Sequence, residues 1–141
     1  MVDVSPIIPA GRQVLESYGG GGFRISGERY EYSVLVEADL TRAWGGVQTW
    51  EDVSAASLIG LGGDAAQPKT LLIGTGTKQH FPTRALRQEL REAGLVVETM
   101  DTGAACRTFN VLMAEGRAVA AALIAIDLSL IHISEPTRLI G

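Results

Sequence analysis

The sequence predicts an α/β fold, because its C-terminal half alternates apolar runs with segments of helical periodicity. The apolar runs cover residues 71–73, 95–99 and 118–126, and they are nearly continuous in Val, Leu, Ile and Ala. Runs of this kind are typical of strands that are covered on both faces. Gly, Thr or Pro marks each change of period, so the pattern favours a parallel βαβαβ unit with two crossover helices.

The N-terminal half predicts an antiparallel β-hairpin, because apolar and polar residues alternate there. The two strands cover residues 23–25 and 30–36, with the turn at residues 26–28. Leu35 breaks the alternation, so the end of the second strand is expected to be buried on both faces. Four consecutive glycines at residues 19–22 indicate a turn or a flexible joint before the hairpin.

Three helices are predicted, and the first is a short one at residues 52–61. Pro82 and Thr83 mark the start of the second helix, and Arg87 is expected on its solvent-facing side. The apolar stripe of that helix consists of Leu86, Leu90 and Ala93. Thr102 is predicted to be the N-cap of the third helix. The buried face of the third helix consists of Ala105, Phe109, Leu112 and Met113.

The composition favours one globular domain over residues 1–127. The 141 residues are 46% hydrophobic and 20% charged, which provides enough apolar material for a sizeable core. The net charge of −4 and the scattered basic residues argue against a nucleic-acid partner. Because neither a membrane-spanning stretch nor a secretory signal is visible, we expect a cytoplasmic protein without a transmembrane segment.

Two glycine-containing loops follow the first two parallel strands, at the edge where open α/β sheets bind ligands. The candidate ligand-binding residues are Gly74, Thr75, Gly76, Lys78, Asp101, Thr102, Gly103, Arg107 and Asn110. A dinucleotide fingerprint would need a third glycine where Gln79 stands, so tight turning at the strand ends is the simpler explanation of the first loop. In the second loop the alternative is structural as well, with Thr102 capping the helix and Arg107 pairing with Asp101.

The sequence contains no complete catalytic constellation, so we expect neither an enzyme nor a bound metal or cofactor. Cys106 would need a base beside it to act as a nucleophile. His80 is the only histidine before residue 128, and it lies on a different loop. The alanine-rich surroundings of Cys106 instead suggest a buried and unreactive thiol. As the only cysteine, it also excludes an internal disulfide bond and a cysteine-based zinc site.

Several sequence blocks carry a family resemblance. They are TGAACRTFN at residues 102–110, EGRAVAAAL at 115–123, FRISG at 23–27, SVLV at 33–36 and LIGTG at 72–76. With these blocks the chain resembles a small α/β family that was long known only as a domain of unknown function. The family includes the mitochondrial respiratory complex I (NADH dehydrogenase) assembly factor three and a cytosolic adipogenesis-associated protein.

The resemblance implies a three-layer α/β fold with a mixed sheet and no established enzymatic activity. Its best-understood members act as assembly factors through protein contacts. We therefore expect a non-catalytic protein-binding domain that assists assembly of a respiratory or membrane-associated complex, with a protein partner that the sequence does not identify. The alternative is a small-ligand or nucleotide-binding domain that uses the glycine loops. Residues 37–47 depart from the family pattern.

The C-terminal residues 128–141 differ in kind from the rest of the chain. Residues 128–138 read LSLIHISEPTR, and a DNA sequence that encodes them resembles a transposase-based sequencing adapter. We interpret the segment as a non-native tail and expect it to contribute nothing to fold or function. A genuine edge strand is the alternative, because residues 128–133 are apolar enough to form one. A chance contact with a sheet edge would not decide between the two.

Overall fold

The computed structural model describes residues 7–133 and 137–138. Its strands are β1 (Ile7–Ile8), β2 (Leu15–Gly19), β3 (Gly22–Ile25), β4 (Glu28–Tyr30), β5 (Val34–Val36), β6 (Thr41–Ala43), β7 (Lys69–Gly74), β8 (Leu95–Met100), β9 (Val119–Leu123), β10 (Ile131–His132) and β11 (Thr137–Arg138). Its α-helices are α1 (Arg84–Glu92) and α2 (Thr102–Ala114). Short 3-10 helices occupy Trp50–Asp52, Ala55–Ser57 and Ile59–Leu61.

The central element is a five-stranded mixed sheet with the strand order β6-β5-β9-β7-β8. Strand β7 pairs in parallel with both β8 and β9. Helices α1 and α2 connect these strands in the chain, so the predicted βαβαβ unit is confirmed. Strand β5 pairs antiparallel to β9 and to β6, which makes the sheet mixed, as the family resemblance implied.

A four-stranded antiparallel sheet, in the order β10-β2-β3-β4, forms a second layer. The predicted hairpin corresponds to β3 and β4, but its second strand ends at Tyr30 rather than at residue 36. Residues 34–36 belong to the other sheet, where all three are buried. The chain crosses between the sheets at Ser33, whose carbonyl accepts a hydrogen bond from the Trp44 N–H and whose hydroxyl accepts one from the Ala125 N–H. These bonds fix the crossing and interrupt the alternating strand.

The four glycines form the tight turn between β2 and β3, and they are not a flexible joint. Gly19, Gly20 and Gly21 have φ angles of +110°, +61° and +83°, which disfavour residues with a Cβ atom. A side chain on Gly22 would collide with the Tyr30 carbonyl of the neighbouring strand. Strand β2 itself was not predicted.

Side chains on the two faces of the central sheet enter different cores, because successive strand residues point in opposite directions. Leu72 packs with α2 and the four-stranded sheet. Leu71 and Ile73 pack on the other face, with Leu90 of α1 and with Leu58 beside the 3-10 helices. The molecule therefore has the expected three layers, with the five-stranded sheet in the middle.

The predicted helix at residues 52–61 is wrong in type, because three separate 3-10 turns occupy the region instead. Ser54 and Leu58 are the N-caps of the second and third turns, so a new helical turn begins twice within the segment. The turns are held by the side chains that they bury or bond. Leu61 is completely buried, and the Trp44 indole N–H donates to the Ser57 hydroxyl.

Helix α1 begins as predicted, because the Thr83 hydroxyl accepts a hydrogen bond from the Leu86 N–H at 3.1 Å. Leu90 is completely buried and Leu86 is half-buried, so the apolar stripe faces the sheet. Arg87 is exposed, as predicted. Its guanidinium reaches back to the sheet and donates to the Val97 carbonyl at 3.0 Å, so the side chain is more than a solvated charge.

The chain beyond residue 127 contacts two strands. Strand β10 pairs antiparallel with β2, and β11 pairs in parallel with β1. Residues 134–136 and 139–141 of the predicted non-native tail lie outside the described residues. The pairing is the kind of sheet-edge contact that is compatible with both interpretations of the tail.

Replacing Leu90 by alanine should destabilise the protein by about 2–5 kcal/mol, since the side chain is completely buried between α1 and the sheet. Glu89→Ala, on the exposed side of the same helix, is the matched control and should change stability by less than about 0.5 kcal/mol. Chemical denaturation measures both variants. Equal losses would mean that the packed face of α1 is misplaced.

Candidate functional site

The carboxyl edge of the central sheet is organised around the hydroxyl group of Thr102. This group donates to the Ile124 carbonyl at 2.7 Å and accepts from the Gly76 N–H at 3.0 Å. The Thr102 N–H also donates to the Gly76 carbonyl at 2.8 Å. The residue is fully buried. Through these three hydrogen bonds it joins the ends of β7 and β9 to the start of α2.

The predicted N-cap of α2 is therefore wrong by one residue. Asp101 is the cap, and its carboxylate accepts a hydrogen bond from the Ala104 N–H at 3.0 Å. Asp and Thr are both good N-caps, so propensity alone does not choose between them. The choice follows from the tertiary bonds that Thr102 makes to Gly76 and Ile124.

The loop after β7 is held by its own threonine. The buried Thr75 hydroxyl lies 2.6 Å from the Lys78 carbonyl and 3.2 Å from the Met100 carbonyl, and it accepts from the His80 N–H. Gly74 leaves little room for a side chain, because a Cβ atom there would lie 3.0 Å from the Leu123 side chain. These contacts agree with tight turning at the strand end.

The candidate residues on α2 contact strand β2. The Arg107 guanidinium donates to the Tyr18 hydroxyl at 3.3 Å, and a side chain on Gly103 would collide with the same ring. Asn110 is buried, and its amide both donates to the Leu15 carbonyl at 2.8 Å and accepts from the Leu15 N–H at 3.0 Å. Each of these residues thus has a packing or hydrogen-bonding role between the layers.

Two adjoining cavities lie beyond the ends of β7 and β9, and we call them together the edge groove. The smaller, of about 280 Å³, is lined by Thr75, Gly76 and Lys78 among others. The larger, of about 590 Å³, extends past Tyr32. Both cavities share the lining residues Gln48, Ala125 and Asp127. The groove therefore runs from the loop after β7 towards the β2–β3 turn.

Aromatic side chains contribute to the lining of the edge groove, among them Trp50, His80 and Tyr32. The rings of Trp50 and His80 are stacked, with centroids 5.7 Å apart and planes 11° apart. Tyr32 is 49% exposed, and Phe81, next to His80 in the chain, is 74% exposed. The Asp52 carboxylate accepts from two backbone N–H groups just ahead of Trp50, which fixes the turn that carries the indole.

The charges around the groove are of both signs. Lys78 lines the smaller cavity together with Glu51 and Asp127. The pKa of Glu51 is lowered, first by a hydrogen bond from its own backbone, then by the Thr49 side chain, with a further contribution from nearby His80. The carboxylate therefore stays ionised at neutral pH. The groove is suited to polar contacts of either sign.

Only part of the predicted site comes together. Thr75, Gly76 and Lys78 share the smaller cavity, whereas Asp101 and Thr102 serve the start of α2. The sequence did not indicate that Glu51, Asp127 and Tyr32 would line the groove.

The structure gives Cys106 no catalytic setting. The thiol is completely buried, and this burial raises its pKa well above the usual range, so the reactive thiolate is suppressed at neutral pH. Within the described residues, no group of three or more His, Cys, Asp and Glu side chains is arranged to hold a metal ion. In that same part of the chain, no helix is long and apolar enough to cross a membrane.

Replacing Thr102 by valine should destabilise the protein by about 1–3 kcal/mol, because the Gly76 N–H and the Ile124 carbonyl lose a buried partner. Thr102→Ser keeps the hydroxyl and should lose clearly less. Denaturant unfolding compares the two variants with the parent chain. A valine variant as stable as the serine variant would show that the hydroxyl does not hold this edge together.

Comparison with known proteins gives relatives over most of the chain. An uncharacterized protein of Rhodobacter capsulatus is 36% identical over 116 residues, which are 82% of this chain and 86% of the relative. The NADH dehydrogenase (ubiquinone) 1 alpha subcomplex assembly factor 3 of Danio rerio is 35% identical over 111 residues, or 79% of this chain. The match spans 63% of that assembly factor, somewhat less than two thirds of its length.

The fold is also that of known structures. The solution structure of a Mth938-like domain from Bordetella pertussis has a TM-score of 0.72 and is 29% identical in sequence. The similarity covers 92% of this chain and 95% of that protein. Residues 15–124 match the family described as "Protein of unknown function (DUF498/DUF598)". The named relative is an assembly factor, and the match indicates no enzyme family. The chain belongs to the DUF498/DUF598 family of proteins of unknown function.

Proposed function

We propose that this protein is a non-catalytic protein-binding domain that assists assembly of a larger complex. The observation that carries the proposal is the edge groove together with two exposed aromatic side chains, Tyr32, which lines it, and Phe81, which follows the lining residue His80 in the chain. Phe81 is 74% exposed although it is a large apolar residue, and Tyr32 is 49% exposed. Aromatic side chains of this kind are enriched at protein interfaces, where they provide much of the binding energy.

The shape and charge of the groove support a protein ligand. Two adjoining cavities of about 280 and 590 Å³ share three lining residues and together offer room for a short chain segment. Lys78, Glu51 and Asp127 supply polar groups of both signs beside the aromatic rings. An apolar contact zone with a polar rim is the usual composition of a non-obligate interface.

The kind of complex that we propose is inferred from the name of a relative. The Danio rerio protein is named an assembly factor of NADH dehydrogenase, and this chain spans 63% of its length. We extend that role to this chain as assistance in assembling a respiratory or membrane-associated complex. We also propose a cytoplasmic location.

The combined variant Tyr32→Ala and Phe81→Ala should lose its protein partners while keeping its fold, since both side chains are largely exposed. Crosslinking and affinity capture with the tagged full chain, quantified by mass spectrometry, measures the loss. We expect at least about a tenfold decrease in the captured partner, the equivalent of about 1.4 kcal/mol. Val111→Ala, an exposed apolar position on α2, is the matched control and should capture as the parent does. An unchanged capture profile in the double variant would contradict the proposal.

A small-ligand or nucleotide-binding role is the second candidate, favoured by the cavity of about 280 Å³ beside Thr75, Gly76 and Lys78. Of the remaining predicted ligand residues, Thr102 holds this loop through its bonds to Gly76, whereas Arg107 and Asn110 contact strand β2. A ligand at 100 times its dissociation constant should stabilise the protein by about 2.7 kcal/mol, so thermal-shift screening against nucleotides and small acids tests it. Lys78→Ala should abolish the shift for an anionic ligand, whereas Arg91→Ala on α1 should not. A flat screen would remove this candidate.

A further inference from the structure

The outer edge of β2 is bonded to the segment that follows β9. The Gly20 N–H donates to the Leu128 carbonyl at 2.6 Å, and the Ile133 N–H donates to the Glu16 carbonyl at 2.9 Å. Between these bonds, Ile131 lies opposite Tyr18 in an antiparallel register, and His132 lies opposite Ser17. The segment thus acts as a fourth strand on a sheet whose other members are β2, β3 and β4.

The edge of β2 is shaped for the approach of another backbone. Gly19 has φ +110°, and a Cβ atom there would lie 2.6 Å from the Ser129 carbonyl oxygen. Gly20 and Gly21 direct their N–H groups out of the turn, to the carbonyls of Leu128 and Ile126. Unpaired strand edges offer alternating donors and acceptors to any extended segment. Glycines at the turn keep side chains out of its path.

The side chains of the bound segment contribute little beyond one anchor. Ile133 is partly buried and packs against the core that contains Tyr18 and Phe23. Leu128, Leu130 and Ile131 are each more than two fifths exposed. Main-chain hydrogen bonds and one apolar position therefore define what the edge accepts. This is the recognition pattern of β-strand addition.

We propose that this edge of β2 is an acceptor for an extended segment of a protein partner, with an apolar side chain at the position that Ile133 occupies. The inference rests on the proposed protein-binding function. If residues 128–138 are a translated adapter, nothing has selected them for this edge, and their pairing reports the properties of β2. The edge also continues the edge groove, because Gly21 and Asp127 both line the larger cavity. A partner segment leaving the groove would meet β2 next.

The test uses the full chain with its own segment displaced by the double substitution Ile131→Pro and Ile133→Pro, which disrupts strand pairing. The probe is a fluorescent peptide with the sequence of residues 127–133. It should bind the displaced variant at least about tenfold more tightly than the parent chain, whose tethered segment competes at a high effective concentration. A peptide that is N-methylated at the Ile133 position cannot donate to the Glu16 carbonyl and should bind much more weakly.

Hydrogen exchange at the Gly20 N–H supplies an independent measurement, since this group donates to the Leu128 carbonyl. Exchange should accelerate in the displaced variant and slow again when the peptide is added. A second variant, Ile133→Asp, keeps the backbone donor but removes the apolar anchor, and should expose the edge if the proline variant fails to fold. Equal binding of both peptides, or equal binding by parent and displaced chains, would overturn the acceptor inference.

The two proposals have separate outcomes. If the Tyr32 and Phe81 substitutions abolish capture but the peptide does not bind, protein binding stands and the β2 acceptor falls. If the peptide binds and the parent chain captures no partner, β2 accepts strands but the proposed assembly role falls.

Discussion

Three chain segments reach the carboxyl edge of the five-stranded sheet, and one buried hydroxyl group, that of Thr102, joins them. It donates to the Ile124 carbonyl and accepts from the Gly76 N–H, so the exits of β9 and β7 are held against the first turn of α2. Buried backbone groups need such partners. Gly74 completes the arrangement, because a Cβ atom there would lie only 3.0 Å from both the Leu123 side chain and the Thr102 Cα atom.

The edge groove is a consequence of this junction. With the exits of β7 and β9 fixed, the following residues, Thr75 to Lys78 and Ile124 to Asp127, form its floor. The 3-10 turn at Trp50 forms one wall, where the indole stacks on His80. The glycine loop after β7 helps to shape a groove whose lining includes aromatic rings and charges of both signs.

Sequence reasoning predicted the parts of the fold that local patterns control. Continuous apolar runs predicted the three parallel strands, and Pro82 and Thr83 marked the start of α1. Asn110 was predicted as a candidate ligand-binding residue. In the structure its amide is bonded at both ends to Leu15, 95 positions away, and no periodicity contains that information.

The sequence by itself determined the α/β class, the βαβαβ unit, the unreactive setting of Cys106 and the family. It determined them because helical and strand periods, caps and turn residues act over a few positions. The tertiary structure alone decided that residues 34–36 leave the hairpin for the central sheet, that Asp101 rather than Thr102 caps α2, and that Trp50 meets His80. Each of these depends on burial or hydrogen bonding between residues far apart in the chain, where a local preference is weaker than the need to pair a buried polar group.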